Sequence, residues 1–188
     1  MIAPARRAAY SVVRRVFEDD SYADRSFRTL AADLDDRDRA LAQRLSYGTV
    51  QRVRTLDHAI EAIGRRPVRK LDPPVLAALR LGAYQLGYTD QAPHAVVDDT
   101  VELVRRAGVE RAVPFTNAVM RRLTERLRGL LGSLPEGPLK HSYPDWIHDT
   151  WRRDLGVEAS LALMRAQNEP PETVVLSLIH ISEPTRPY

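Results

Sequence analysis

Between residues 114 and 132 apolar side chains return at every third or fourth position: Phe115, Val119, Leu123, Leu127 and Leu130. That spacing places them on one face of an α-helix, with Arg121, Arg122, Arg126 and Arg128 around the rest of the circumference. Pro114 suits the first turn, where its missing N–H would have no partner in any case. Asn117 interrupts the apolar run. If buried, it needs hydrogen-bond partners and would pin the helix to a neighbour's backbone. On periodicity alone the stretch is a core helix with an arginine-rich solvent face.

The same period recurs along the chain. Ala9, Val12, Val13, Val16 and Phe17 predict a first helix over 4–18, and Phe27 and Leu30 a short one over 22–32. Asp35 and Asp36 offer an N-cap for a long helix over 37–63, with Gly48 as a bend or close crossing. Gly64 closes that helix, and Asp72 is expected to cap the next, over 75–88. The 75–88 segment is apolar on two sides (Val75, Leu76, Leu79, Ala83 and Leu86 on one, Leu81, Tyr84 and Tyr88 on another), which predicts a central, enclosed helix. A fifth helix is expected over 93–107 with Val97, Val101 and Val104 inward. No segment up to there alternates with period two, so the region reads as all-α, a compact helical bundle. Residues 134–138 form a linker by composition. Helices over 143–155 and 157–166 follow, and Val174 and Val175 suggest the start of a strand.

Composition narrows the field. No stretch approaches the roughly 20 apolar residues of a membrane-spanning helix, and the first residues lack the apolar region of a signal peptide, so a cytoplasmic location is expected. With no cysteine, disulfides, thiolate metal sites and a cysteine nucleophile are excluded for this chain. The net charge of +3 is compatible with RNA without requiring it. Nearly all the basic charge is arginine, 26 against Lys70 and Lys140. Arginine suits bidentate phosphate contacts and base stacking; a GC-rich genome produces the same bias.

A set of segments then falls into a known order. Phe115-Thr-Asn-Ala-Val-Met-Arg-Arg122 resembles the most characteristic segment of the NusB-like helical RNA-binding domain, in the version found at the front of bacterial rRNA cytosine-C5 methyltransferases of the RsmB/Sun group. Asp36-Arg-Asp-Arg-Ala-Leu41, Tyr47-Gly48-Thr49, Arg54-Thr-Leu-Asp57, Leu71-Asp-Pro-Pro-Val75, Leu79-Arg-Leu-Gly-Ala-Tyr-Gln-Leu86 and Val97-Asp-Asp-Thr-Val-Glu102 match the same family in order. His141-Ser-Tyr-Pro-Asp-Trp146 resembles its joining segment, and Asn168-Glu-Pro-Pro171 the loop leading into its first small β unit. The resemblance implies a NusB-like RNA-binding domain over 1–133, then a linker and the start of the methyltransferase N-terminal subdomain over 134–175. It stops near Val175. Residues 176–188 read as the in-frame translation of a sequencing adapter, a non-native tail, and the chain as the front of a longer protein.

The resemblance implies a division of labour. Family members bind S-adenosylmethionine in a Rossmann-like domain and use cysteines for covalent attack on the base. This chain has neither the glycine-rich loop nor a cysteine, so no catalytic, cofactor-binding or metal residue is assigned and no activity is expected of it alone. Recognition of RNA, expected to be small-subunit rRNA, is the implied role. Arg6 and Arg7 on the first helix and Arg121 and Arg122 after the Asn-Ala-Val-Met core match the family's RNA-contacting positions; ordinary solvated arginines are the competing reading. A protein partner is possible by analogy with NusB.

Other groups carry weaker signals. Asp98 and Asp99 are read as solvated, because adjacent helical residues diverge. His141 and His148 could share a helical face, but nothing completes a metal set. Tyr84 and Tyr88 could stack on bases or pack the core, and Trp146 and Trp151 are expected to pack the second helical unit. Two rivals remain: a free-standing NusB-type antitermination factor, which residues 141–171 argue against, and a helical scaffold for protein contacts, which predicts no RNA affinity at low salt.

Overall fold

The computed structural model describes residues 2–169, and these carry ten α-helices and two 3-10 turns with no strand. The expected strand at Val174 and Val175 and the segment 176–188 lie outside the described residues. Helix α1 (Pro4–Glu18) opens with proline in its first turn and buries Ala5, Ala8, Ala9, Tyr10, Val12 and Val13. The short α2 (Ala23–Leu30) seats Phe27 edge-on against Tyr47, ring centroids 5.5 Å apart.

The long helix expected over 37–63 is two helices, α3 (Asp36–Gln51) and α4 (Val53–Gly64). Asp35 caps α3 as expected, its carboxylate accepting the Asp38 N–H at 2.8 Å. The break falls at Arg52, not at Gly48. Gly48 serves as a close crossing instead: a Cβ there would overlap the phenol ring of Tyr84.

Helix α5 (Pro73–Tyr88) is the centre of the bundle, enclosed from Ala77 to Leu86 and packed against α1, α3 and α4. Helices α6 (Pro93–Arg106) and α7 (Val113–Ser133) complete the enclosure. Leu79 and Leu81, with no exposed surface, each contribute about 1.5–3 kcal/mol by leaving water. Asp72 occupies the N-cap position of α5, but its side chain makes no cap bond. It accepts instead from Arg111 Nη2, at 3.3 Å to either oxygen. On α7 the buried stripe is Thr116, Val119, Met120, Leu123 and Leu127, with Phe115 and Leu130 at its edges. Asn117 is half-exposed, and its side chain makes no hydrogen bond among the described residues, so it does not pin the helix.

After the expected linker come α8 (Pro138–His141), α9 (Asp145–Leu155) and α10 (Val157–Asn168). They lie against the bundle. The Arg54 N–H donates to Ser142 Oγ at 3.0 Å, and its guanidinium donates to the Tyr143 carbonyl and to both oxygens of Asp145. Thr55 Oγ1 donates to the Leu139 carbonyl at 2.6 Å, and Gln51 Nε2 to the Gln167 carbonyl at 3.0 Å. Trp151 packs on Tyr143 as expected, centroids 5.2 Å apart. Trp146 does not pack: it is 69% exposed, five residues and so about 140° around α9 from the packed Trp151.

Candidate nucleic-acid interface

The four arginines singled out from the sequence meet different fates. Arg6 is turned inward by its place on the α1 face beside α5 and α6. Its Nε donates to Gln85 Oε1 at 3.0 Å and Nη2 to Gln91 Oε1 at 2.6 Å, while Nη1 lies 3.1 Å from Asp99 Oδ2. Every arm of this guanidinium has an internal partner, and the side chain is 15% exposed. Asp99 is thereby an internal ion-pair partner, whereas Asp98 stays exposed. The next residue, Arg7, projects from the outer face of α1. It is exposed and has no hydrogen bond or ion pair among the described residues.

Arg121 and Arg122 are both exposed on α7 and likewise unpaired among the described residues. Successive helical residues diverge by about 100°, so the two flank the buried stripe on opposite sides. Arg121 borders the α6–α7 groove with Asp98, Asn117 and Glu125. Arg122 lies seven residues beyond Phe115, on that residue's side of the stripe. The structure therefore separates the paired arginines.

Other arginines hold the scaffold. Arg80 of α5 makes a bidentate pair with Asp57 of α4, both bonds 2.7 Å, and its guanidinium lies 4.2 Å from the ring centroid of Phe17. Three helices are joined at this one nearly buried cation. Arg128 donates from Nε and Nη2 to the carbonyls of Leu86 and Thr89, satisfying acceptors left open at the C-terminus of α5. A chain rich in arginine thus spends part of its basic charge internally.

Two cationic features were missed by sequence reasoning. At the α4–α5 connection Arg65, Arg66, Arg69 and Lys70 are all exposed, with Arg66 over the Phe115 ring at 5.4 Å. The local signal was plain, four bases within residues 65–70. The second feature is a cavity of about 460 Å³ where α8 and α10 meet the bundle, lined by Arg52, Tyr88, Lys140, His141, Arg165 and Asn168 among others. No sequence pattern links residues on helices so far apart. Beside it, Glu136 accepts from Lys140 Nζ at 2.6 Å and from Arg165 Nη2 at 3.0 Å, and lies 2.9 Å from His141 Nε2. The hydrogen bonds from Lys140, then His141 and Arg165, hold its carboxyl down at about 2.

The histidines do not converge on a metal. His141 is engaged by Glu136 and His148 by Asp149, and no group of three or more metal-ligating side chains occurs among the described residues. Tyr84 and Tyr88 stack on each other, centroids 5.5 Å apart, and Arg52 lies 5.0 Å from the Tyr88 ring centroid. Among the described residues no helix is long and apolar enough to cross a membrane.

Comparison with known proteins follows the same lines. The NusB family matches residues 3–125. A probable ribosomal RNA small subunit methyltransferase B of Synechocystis is 33% identical over 177 residues, covering 89% of this chain and 39% of that protein. The transcription antitermination protein NusB of Halorhodospira halophila is 40% identical over 94 residues, half of this chain and 61% of that one. Among solved structures, the antitermination factors NusB and NusE in complex with double-stranded RNA superpose with a TM-score of 0.61 at 24% identity, covering 65% of this chain and 94% of that one. At that identity the likeness concerns the fold.

Proposed function

The chain belongs to the NusB family, and from that premise we propose that it is the RNA-binding front region of a small-subunit rRNA cytosine-C5 methyltransferase. The observation that carries the reading is the set of exposed arginines on a NusB-type bundle, Arg7, Arg121 and Arg122, each without an internal partner among the described residues. Such guanidiniums attract phosphate and release counterions, which supplies affinity independent of sequence. Selection among RNAs then falls to unpaired bases, since the grooves of an A-form helix carry little readable sequence.

The chain spans about two-fifths of the length of its Synechocystis relative, and methyl transfer is proposed for the whole protein. Cytosine-C5 chemistry of this family uses a thiolate, and this chain has no cysteine; its residues do not fit that step, and none is derived through them. Their role is to hold RNA for a catalytic centre elsewhere, and S-adenosylmethionine is assigned to that centre. An antitermination role is the second reading, favoured by the Halorhodospira relative. The bonds from Arg54, Thr55 and Gln51 to α8–α10 weigh against it, because they extend the folded unit past the residues 3–125 that match the NusB family.

Fluorescence anisotropy with a labelled small-subunit rRNA hairpin tests the proposal. Arg7→Ala, Arg121→Ala and Arg122→Ala should each weaken binding similarly across RNA sequences, and each should reduce the salt slope by about 1. If all three variants keep the parent affinity and slope, the assignment fails.

A further inference from the structure

The cavity between α5, α8 and α10 joins three features that the scaffold does not require together. The first is charge. Arg52, Lys140 and Arg165 bring three fixed cations from three different elements, against the carboxylates of Glu136 and Glu169. The second is a run of stacked groups: Tyr84 on Tyr88, and Arg52 over the Tyr88 ring. The third is a hydrogen-bond acceptor with nothing to accept from. Asn168 Nδ2 donates to the His141 carbonyl at 2.9 Å, but its Oδ1 is buried and unpartnered. Buried acceptors are ordinarily satisfied, so an unpartnered one on a residue of the cavity wall marks a place where a small side-chain shift would meet an incoming donor.

We propose that this seam is a subsite for one unpaired ribonucleotide. The phosphate sits toward Lys140 and Arg165, the base extends the Tyr84–Tyr88–Arg52 stack, and the Asn168 side chain turns so that its Oδ1 accepts from the ribose hydroxyl or a base amino group. The inference rests on the RNA-binding reading above and adds a location to it. A volume of about 460 Å³ lies within the roughly 300–1,000 Å³ of small-ligand pockets. Free phosphate fits less well, since it offers the Asn168 acceptor little and leaves the stack uncovered. Bases splayed from loops do stack on aromatic and guanidinium planes, and stacking tolerates any base because each has a π face. The seam would recognise an unpaired position rather than a sequence. It also lies between the bundle and α8–α10, so a nucleotide there would touch both.

The test uses the full chain and a short unstructured RNA oligonucleotide carrying a photoreactive thiouridine. Lys140→Gln with Arg165→Gln should lower affinity about tenfold and reduce the salt slope by about 2. Tyr88→Leu should lower affinity by a similar factor with the slope unchanged. Photocrosslinks should map to peptides containing Tyr88 or Asn168, and DNA of the same sequence should bind more weakly. Arg165 is 54% exposed, so Arg165→Gln alone keeps the test independent of folding. If the seam variants leave RNA affinity unchanged while Arg7→Ala and Arg121→Ala lower it, the seam assignment is wrong and the general reading stands. If the variants lower only the melting temperature, the cluster around Glu136 merely fastens α8–α10 and the proposal is overturned. An absence of RNA binding by the parent chain at low salt overturns both.

Discussion

Arg6→Ala, set beside Arg7→Ala, separates a scaffold arginine from an exposed one. The Arg6 guanidinium donates to Gln85 and Gln91 and pairs with Asp99. Gln85 is 1% exposed, so truncating Arg6 leaves Gln85 Oε1 buried without a donor. An unsatisfied buried acceptor costs about 1–3 kcal/mol. Asp99, still partly wet, adds at most about 1 kcal/mol after screening. The sum is about 1–4 kcal/mol. At about 2–4 °C per kcal/mol for a chain of this size, the thermal midpoint followed by far-ultraviolet circular dichroism should fall by about 2–16 °C. Arg7→Ala, on the neighbouring exposed position, should stay within about 0.5 kcal/mol of the parent yet weaken RNA binding. Anisotropy well below either midpoint completes the comparison. An Arg6→Ala protein that melts like the parent and loses more RNA affinity than Arg7→Ala would refute the reasoning, because the guanidinium would then be free for phosphate in solution.

Asp57→Ala strands Arg80 beneath Phe17 as an uncompensated, nearly buried charge and should cost about 3–5 kcal/mol; urea denaturation measures it, and Asp57→Leu with Arg80→Met should recover most of the loss. Glu136 titrates at about 2 in the folded chain against an ordinary 4.5. The lowered value means its ionised form stabilises the fold: that contribution is complete above about pH 4.5 and disappears as pH falls towards about 2. The melting-temperature gap between the parent and Glu136→Gln should therefore close over that window; a gap independent of pH would sink the assignment. Burial pushes the Tyr10 hydroxyl, which donates to the Pro74 carbonyl at 3.0 Å, up to about 12 from 10.0. Stability should fall as pH rises from 10 through that value, and an ultraviolet titration should show a late-ionising tyrosine that Tyr10→Phe removes.

Much of the architecture was legible in the chain because helix burial follows a local period. The stripe on α7, the two-sided apolarity of α5 and the Asp35 cap all come from residues within a few positions of one another. Where expectation failed, the cause lay across helices. Of the two roles open to Gly48, a bend or a close crossing, the seat for Tyr84 decided for the crossing, and the helix break came at Arg52, whose side chain lies over Tyr88. Asp72 had the identity and place of a cap, but Arg111, far along the chain, takes its carboxylate.

The candidate interface divides in the same way. The amino-acid sequence by itself determined a helical NusB-family bundle, rich in arginine and without cysteine, because periodicity, composition and ordered motifs are properties of the string. It could not sort its arginines. Arg6 and Arg7 are neighbours in the chain, yet one is locked to Gln85, Gln91 and Asp99 while the other faces water. Arg121 and Arg122 are neighbours too, and the helical turn sends them to opposite flanks. Only the tertiary structure decided which cations are held internally and which remain open to solvent. A guanidinium's role depends on the partners packed around it, and those come from helices distant in sequence.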